Sequence, residues 1–346
     1  MSKKYVVDYL YRNYFNARSK AREDVNVSAQ KAGYEMFFLK TQTTTEANES
    51  KTKNFSKYLH HIKKLIVIFD AILKIKKDST VLVQYPLSPF GDFFSKCFYW
   101  ALRKKSCKVI ILVHDIVSYR ETGHFSKKEI ATLNQASHII LHTPAMKALF
   151  NSVGIKPSMS LLYLFDYITS ELPNLHNTEN YEVAFAGSLE KSVFLHCIHK
   201  IPFREIKLNL YGLPTDKIKE TQDIRYCGKF SPENVNAIKS IWGLVWDGDS
   251  LETCSGVLGT YLRINSPHKT SLYLAAGIPI IIWAQSALAE YITKNCLGIT
   301  ISSLYEMDEK ILKLTKDEIN EIQRNVSVFS SKIRGGEMLK DVLNNL

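Results

Sequence analysis

The sequence predicts an α/β protein of two Rossmann-like domains whose parallel sheets face a central cleft. Three observations carry this. Short apolar, β-branched runs alternate with helical patterns in two successive series along 346 residues, a length that suits two domains better than one. Several runs, such as Val109-Ile110-Ile111-Leu112-Val113 and Ile280-Ile281-Ile282, are continuously apolar, as strands covered on both faces are. Between the two series lies a polar, turn-rich stretch at 166–181, with Pro173, Asn174, Asn177, Thr178 and Asn180.

The first domain, residues 1–165, has strand patterns at Tyr5–Leu10, Glu35–Leu39, Val81–Tyr85, Val109–Val113, His138–His142 and Ser160–Leu164. Helical patterns fall between them at Ala17–Ala32, Lys53–Ile75, Asp92–Lys104, Ser126–Ala136 and Ala145–Val153. The second domain, 182–325, repeats the alternation. Its strands are expected at Val183–Ala186, Lys207–Tyr211, Ile224–Cys227, Gly243–Trp246, Ile278–Ile282 and Ile299–Ile301. Its helices are expected at Lys191–His199, Pro232–Ile241, His268–Ala276, Ala287–Lys294 and Met307–Leu314. From Lys316 the chain is helical and charged, and the tail 326–346 is free to cross back to the first domain.

Composition narrows the function. Apolar residues make up 45% and charged residues 23%, which fits filled globular cores rather than disorder. No apolar run is long enough to span a bilayer, and Met1–Leu10 lacks the apolar segment of a signal peptide, so a soluble, cytoplasmic chain is expected. The six cysteines form no C-x-x-C pair and read as reduced thiols. No metal site is predicted: His196 and His199 have no Cys at ligand spacing, and His138 and His142 read as packing. The net charge of +11 splits into +14 over residues 1–165 and −3 over 166–346. Its clusters are Lys63-Lys64, Lys74 with Lys76-Lys77, Arg103-Lys104-Lys105 and Lys127-Lys128. Such a half reads either as a solvated lysine-rich surface or as the partner of an anion, nucleic acid or membrane. No zinc-finger, RNP or leucine-zipper pattern supports nucleic acid, which is not expected.

Ligands of such sheets gather at the carboxyl ends of the strands, so the residues just after each strand matter most. In Asn265-Ser266-Pro267-His268-Lys269-Thr270-Ser271, Ser266 suits a helix N-cap, Pro267 the first helical position and Gly277 the position after the end. Lys269, Thr270 and Ser271 in the first turn read as a phosphate cradle, the alternative being a capped helix with a surface lysine. Gly187, Ser188 and Lys191, after a strand, suit a second phosphate contact. Asp247-Gly248-Asp249 suits a divalent cation, a turn cap or sugar hydroxyls. His114 and Asp115 are candidate general bases, or a packed histidine beside a turn cap. Arg18, Lys20, Arg22 and Asp24 suit an anionic acceptor or a solvated helix face.

The stretch from Gly243 through Trp246-Asp-Gly-Asp-Ser250 and Tyr261-Leu262 to Asn265-Ser-Pro-His-Lys-Thr-Ser-Leu-Tyr-Leu274 resembles the bacterial β-1,6-galactofuranosyltransferases of O-antigen and capsule assembly. Weaker likeness extends to Lys20-Ala21-Arg22, His114-Asp115-Ile116, Ala186-Gly187-Ser188-Leu189 and Ala287–Ile292. The scaffold is also similar to the glucosyltransferases that extend glycans on serine-rich streptococcal adhesins. The resemblance implies a GT-B fold, an acceptor on the first domain, a UDP-sugar on the second, and transfer without metal or other cofactor. It implies Lys269, Thr270 and Ser271 on the diphosphate, His268 among the UDP-sugar contacts, Lys191 adding charge, and Phe230 stacking on uracil. It reduces Asp247 and Asp249 to sugar or loop contacts. Retaining relatives carry a Glu in the turn where Leu272 stands here, so inversion is expected. Asp115 is then the first choice for the base and His114 the second, with Asp247, Asp249 and Glu252 as further candidates. A basic domain without a spanning helix suits a lipid-linked glycan acceptor and an anionic membrane surface. Two alternatives stand beside this: a UDP-glucose or other UDP-hexopyranose transferase, and a non-catalytic partner subunit, which the intact Lys269 turn opposes. Whether the chain forms a homo-oligomer is left open.

Overall fold

The computed structural model describes residues 2–9, 17–40, 53–173 and 181–346, with the side chains of 17–18 and 53–60 outside the description. Leu10 and the linker residues 174–180 also lie outside it. In the N-terminal half the order is β1 (Lys4–Tyr9), α1 (Ala17–Lys31), β2 (Glu35–Leu39), α2 (Lys53–Lys74), β3 (Thr80–Tyr85), α3 (Gly91–Lys104), β4 (Lys108–Val113), α4 (Val117–Thr122), α5 (Lys127–Leu133), β5 (His138–Leu141), α6 (Pro144–Ser152) and β6 (Ser158–Leu161). The C-terminal half follows with β7 (Glu182–Ala186), β8 (Lys207–Tyr211), β9 (Ile224–Tyr226), β10 (Trp242–Val245), α7 (Gly256–Tyr261), α8 (His268–Ala275), β11 (Ile280–Trp283), α9 (Ala289–Lys294) and β12 (Gly298–Ile301). Helices α10 (Met307–Leu312), α11 (Lys316–Gly335) and α12 (Glu337–Asn344) close the chain.

Two six-stranded sheets result, in the orders β2-β1-β3-β4-β5-β6 and β12-β11-β10-β7-β8-β9. The pairings are parallel, for example Val81 to Val109 and Leu244 to Ile281. The apolar run of β4 shows why: Val109, Ile111 and Val113 enter one core, while Ile110 and Leu112 enter another on the opposite face. A strand buried on both sides has no polar face to spend on water, which demands helices above and below. All six cysteines are free thiols. Among the described residues no helix is long and apolar enough to cross a membrane.

The two halves are tied together at several points. Helix α12 lies on α1, with Leu339 and Leu343 in one core with Val25, Ala29 and Leu82. Asp166 accepts the backbone N–H groups of Met338 (2.9 Å) and Leu339 (3.1 Å) and the hydroxyl of Ser28 (2.7 Å). Burial nonetheless pushes the Asp166 carboxyl up to about 6. On the other side of the cleft, Tyr261 and Ile264 of the C-terminal half are buried in the N-terminal core.

Three local expectations are corrected, and two short helices are added. The helix expected at Pro232–Ile241 is a single 3₁₀ turn, Val235–Ala237, because Asn236 bonds to Glu171 and to the carbonyl of Leu172 instead of to helical neighbours. The one expected at Lys191–His199 is 3₁₀ and starts at Val193, so Lys191 precedes it. Helices α4 and α7, each six residues, are too short to show a periodic pattern. Finally, Pro267 rather than Ser266 is the N-cap of α8; the Ser266 N–H is held by His142 Nδ1 at 3.1 Å, which keeps Ser266 outside the helix. Gly277, after the end of α8, has the left-handed φ of +73°.

Candidate active site

Between the sheets lies a cavity of about 630 Å³. Each sheet reverses its strand order once, between β1 and β3 and between β7 and β10. Loops leave such a point in opposite directions and open a crevice. The N-terminal wall carries Pro86 and Ser88 after β3 and His114 and Asp115 after β4. The C-terminal wall carries Gly187, Ser188 and Lys191 after β7, Asp247 after β10, and residues 265–269.

Helix α8 is aimed at the cavity by Tyr273. The ring is fully buried, and its hydroxyl accepts the Ala186 N–H at 2.7 Å while lying 3.3 Å from the carbonyls of Ala184 and Leu244. It therefore pins α8 across β7 and β10. Only glycine fits beneath it: a Cβ at Gly243 would stand 2.3 Å from the Tyr273 ring. The far end of α8 is fixed by Ser330, whose hydroxyl donates to the Ala275 carbonyl at 3.0 Å.

Thus anchored, α8 presents His268 and Lys269 to the cavity. Lys269 Nζ lies 3.2 Å from the Trp246 carbonyl, 3.7 Å from Asp247 Oδ2 and 4.4 Å from the centre of the Phe185 ring. Around it, Asn265 Oδ1, Ser266 Oγ, His268 Nε2, Thr270 Oγ1 and Ser271 Oγ are buried and lack hydrogen-bond partners. An unmade bond of this kind costs about 1–3 kcal/mol. Three of them, on Asn265, Ser266 and His268, belong to residues of the cavity wall, and three within four residues, at a helix N-terminus beside a lysine, suit a polar ligand that supplies the missing partners. His268, between Phe165 and Tyr167, is lowered to about 4 by burial and, secondarily, by Lys20.

Across the cavity, His114 is oriented by a buried network. Gln84 Nε2 faces three acceptors, Asn26 Oδ1 at 2.6 Å, the Arg22 carbonyl at 3.2 Å and Asp8 Oδ2 at 3.4 Å. Its Oε1 is therefore turned to His114 Nε2, 2.7 Å away. An amide oxygen only accepts, so Nε2 carries the hydrogen and the neutral ring keeps its lone pair on Nδ1. Phe165 stacks on the imidazole at 5.3 Å. Asp8 is itself held by Arg22 Nε and Nη2 at 2.9 and 2.7 Å.

Asp115 sits differently. Its carboxylate is ion-paired with Arg120 and lies near the Tyr261 hydroxyl, on which its charge acts. That hydroxyl in turn accepts the Ile116 N–H at 3.0 Å. Burial, with the charge of Asp115, lifts the Tyr261 phenol far above its ordinary value. The segment 262–267, a strap between α7 and α8, is fastened by Thr143 Oγ1 on the Ile264 carbonyl at 2.6 Å and by His142 on Ser266. His142 Nε2 donates to the Val113 carbonyl at 2.7 Å, leaving Nδ1 to accept, and burial lowers the ring to about 4.

Of the residues singled out in the sequence, Arg22, His114, Asp115, Gly187, Ser188, Lys191, Asp247, His268 and Lys269 are brought to one cavity. Others are not on its wall. Lys20 is buried 2.7 Å from Asp24 and 3.1 Å from Glu233, because a lysine this enclosed must be paired. Burial raises Asp24 to about 7 even so. Arg22 reaches the wall with its guanidinium bound to Asp8. The side chain of Arg18 lies outside the described residues. Phe230 packs edge-on against Tyr211 at 5.8 Å. Asp249 accepts the Ser255 hydroxyl within its own loop. Thr270 and Ser271 lie beneath the surface behind Lys269. Sequence reading missed the roles of Gln84, Arg120, Tyr261 and Tyr273, and of His142 as the residue that holds Ser266. Only Gln84, a polar residue inside an apolar strand, left a visible signal.

Residues 3–164 match the N-terminal domain of the glucosyltransferase 3-like family, and 183–346 match its C-terminal domain. The β-1,6-galactofuranosyltransferase WbbI of Escherichia coli K12 is 31% identical over 281 residues, covering 79% of this chain and 80% of that protein. Glucosyltransferase 3 of Streptococcus gordonii is 28% identical, covering 73% and 75%. Among solved structures, Anabaena Alr3699/HepE in complex with UDP and glucose aligns over the whole of both chains with a TM-score of 0.59 at 12% identity. Two domain matches in order, and a 31% identical relative covered over four-fifths of its length, settle the assignment: the chain belongs to the glucosyltransferase 3-like family of glycosyltransferases, built on the GT-B fold.

Proposed function

We propose that the chain transfers galactofuranose from UDP-galactofuranose to a hydroxyl of a glycan acceptor, with inversion and without a metal, in the assembly of a surface polysaccharide such as O-antigen or capsule. The observation that carries the donor assignment is the set of unpartnered polar atoms around Lys269 at the start of α8. A diphosphate there meets the helix N-terminus, Lys269 and, from the β7 loop, Lys191. These cations are preorganised to stabilise the leaving UDP, which is the charge neutralisation a metal would otherwise supply. The similarity to WbbI supports galactofuranose as the sugar.

The acceptor hydroxyl attacks the anomeric carbon as the bond to UDP breaks, and its proton passes to a base. His114 Nδ1 is the base in this reading. Gln84 fixes its tautomer, and Asp115, the other candidate beside it, is ion-paired with Arg120. An adjoining cavity of about 320 Å³, which shares Pro86, Ser88, Val117 and Glu121 with the first, offers the acceptor a wall of serines and carboxylates. The similarity to glucosyltransferase 3 supports a second reading, in which the same site takes UDP-glucose.

The test is a donor panel of UDP-galactofuranose, UDP-galactose and UDP-glucose with glycan acceptors, with and without EDTA, read by mass spectrometry and NMR. The proposal expects galactofuranosyl product of configuration opposite to the donor, unchanged by EDTA. Glucosyl product only would select the second reading. Retained configuration would refute inversion, and loss of activity in EDTA would refute the metal-free step.

A further inference from the structure

Helix α2 has two apolar faces. Ile68, Ala71 and the following Ile75 are buried in the N-terminal core. On the outside, Ile62, Leu65, Ile66, Phe69 and Leu73 recur at helical spacing and are 37–65% exposed. Helix α3 runs beside it in the same direction: His61 stacks on Phe94 at 5.4 Å, and Lys105 Nζ donates to the carbonyls of Ile72 and Ile75. It adds Phe93 at 69% and Trp100 at 55% exposure. Seven of the sixteen exposed large apolar side chains described in the protein thus lie on this two-helix face. Isolated exposed apolar residues need no explanation, but a contiguous stripe marks an interaction surface.

The charge around the stripe selects the partner. Residues 61–105 contain nine Lys and Arg against three Asp and Glu, and Asp70 is paired with Lys74 at 2.7 Å. Lys104 Nζ lies 5.6 Å from the Trp100 ring, as a side chain does that keeps its stem on apolar surface and its charge at the rim. Apolar side chains ringed by cations match a negatively charged bilayer surface, where the first enter the headgroup–acyl boundary and the second meet lipid phosphate. We propose that the outward face of α2 and α3 docks the protein on an anionic membrane. The surface carries this by itself, independently of the transfer reaction.

Tryptophan emission reads the docking directly. Trp242, Trp246 and Trp283 are at most 3% exposed, so Trp100 alone can change its environment on contact. The full chain is titrated with phosphatidylglycerol-containing and with pure phosphatidylcholine vesicles, followed by emission and by flotation. Expected are a blue shift and flotation with the anionic vesicles only. Phe69→Ser should weaken binding about tenfold. The triple change Lys96→Ala, Arg103→Ala, Lys104→Ala should weaken it about a hundredfold, near fivefold per charge. Trp100→Phe should abolish the shift while binding persists within a few-fold. These positions are exposed, so an unchanged melting temperature checks that each variant folds. Absence of binding to anionic vesicles would overturn the proposal, as would binding insensitive to these substitutions. Self-association that Phe69→Ser abolishes would overturn it too, by making the face a contact between copies.

Discussion

Replacing Lys269 by alanine isolates the donor site. In the unliganded protein the ammonium has one carbonyl at 3.2 Å and one carboxylate at 3.7 Å, with its side chain 18% exposed. Losing so partly solvated a pair costs about 1 kcal/mol or less of stability. Against UDP the same ammonium makes a charge-assisted bond worth about 1.5–3 kcal/mol, so the Kd should rise about ten- to 150-fold. UDP at about one hundred times the wild-type Kd stabilises the fold by about 2.7 kcal/mol. That corresponds to a rise in Tm of about 5–10 °C for domains of this size. With a hundredfold weaker Kd the same UDP concentration supplies about 0.4 kcal/mol and a rise of about 1 °C. A thermal-shift titration of both proteins measures this. A wild-type-sized shift in Lys269→Ala would refute the placement of the diphosphate, and no shift in either would refute UDP binding.

Three further outcomes follow from the geometry. Gln84→Leu frees the His114 tautomer, so kcat should fall about ten- to a hundredfold, with KM for the donor nearly unchanged and the pH–rate profile displaced; an unaltered profile would remove His114 as the base. Gly243→Ala drives a methyl into the Tyr273 ring and should destabilise by about 1–3 kcal/mol in denaturant unfolding, with weaker UDP binding as α8 tilts; wild-type values of both would show that Tyr273 does not set the helix. His142 is lowered from the usual 6.5 to about 4, so its contribution is complete above pH 6.5 and is lost as pH falls toward 4. About 2 kcal/mol should vanish between pH 7.5 and 5, and equal slopes in wild type and His142→Gln would contradict it. Asp24 and Asp166 titrate in the opposite sense in both proteins, so the difference reports His142 alone.

The fold was legible because strands buried on both faces leave an apolar signature that local sequence carries whole, as in Val109–Val113. The cavity's walls were legible for a topological reason: in parallel sheets the residue after a strand faces the crevice, which located His114, Gly187 and Asp247 together. What escaped was what long-range contacts decide. Tyr261 and Asp115 lie far apart in sequence, and nothing local to either says that the tyrosine meets the carboxylate. Lys20 looked like a solvated basic residue, and only the linker and Glu233 closing over it make it a buried one. The expected helix at 232–241 failed likewise, because Asn236 is taken by residues 171–172.

Tyr261, Ile264, Leu339 and Leu343 are encoded in the second half of the gene product and solvent-shielded in the first half's interior. Chain order and mechanical unit therefore do not coincide. A cut at the linker would not liberate two independent modules; residues 1–165 alone would surface the Val25–Leu82 patch and the seat of Tyr261 to water. Opening of the crevice cannot be a swing about the linker alone, since the strap before α8 and the last helix both travel with the N-terminal body. The chain returns to the C-terminal body at Ser266–Pro267 and leaves it for the last helix at Gly335–Gly336, where Gly336 takes a left-handed φ of +72°. The boundary between the two bodies is therefore crossed at three places, not at the linker alone.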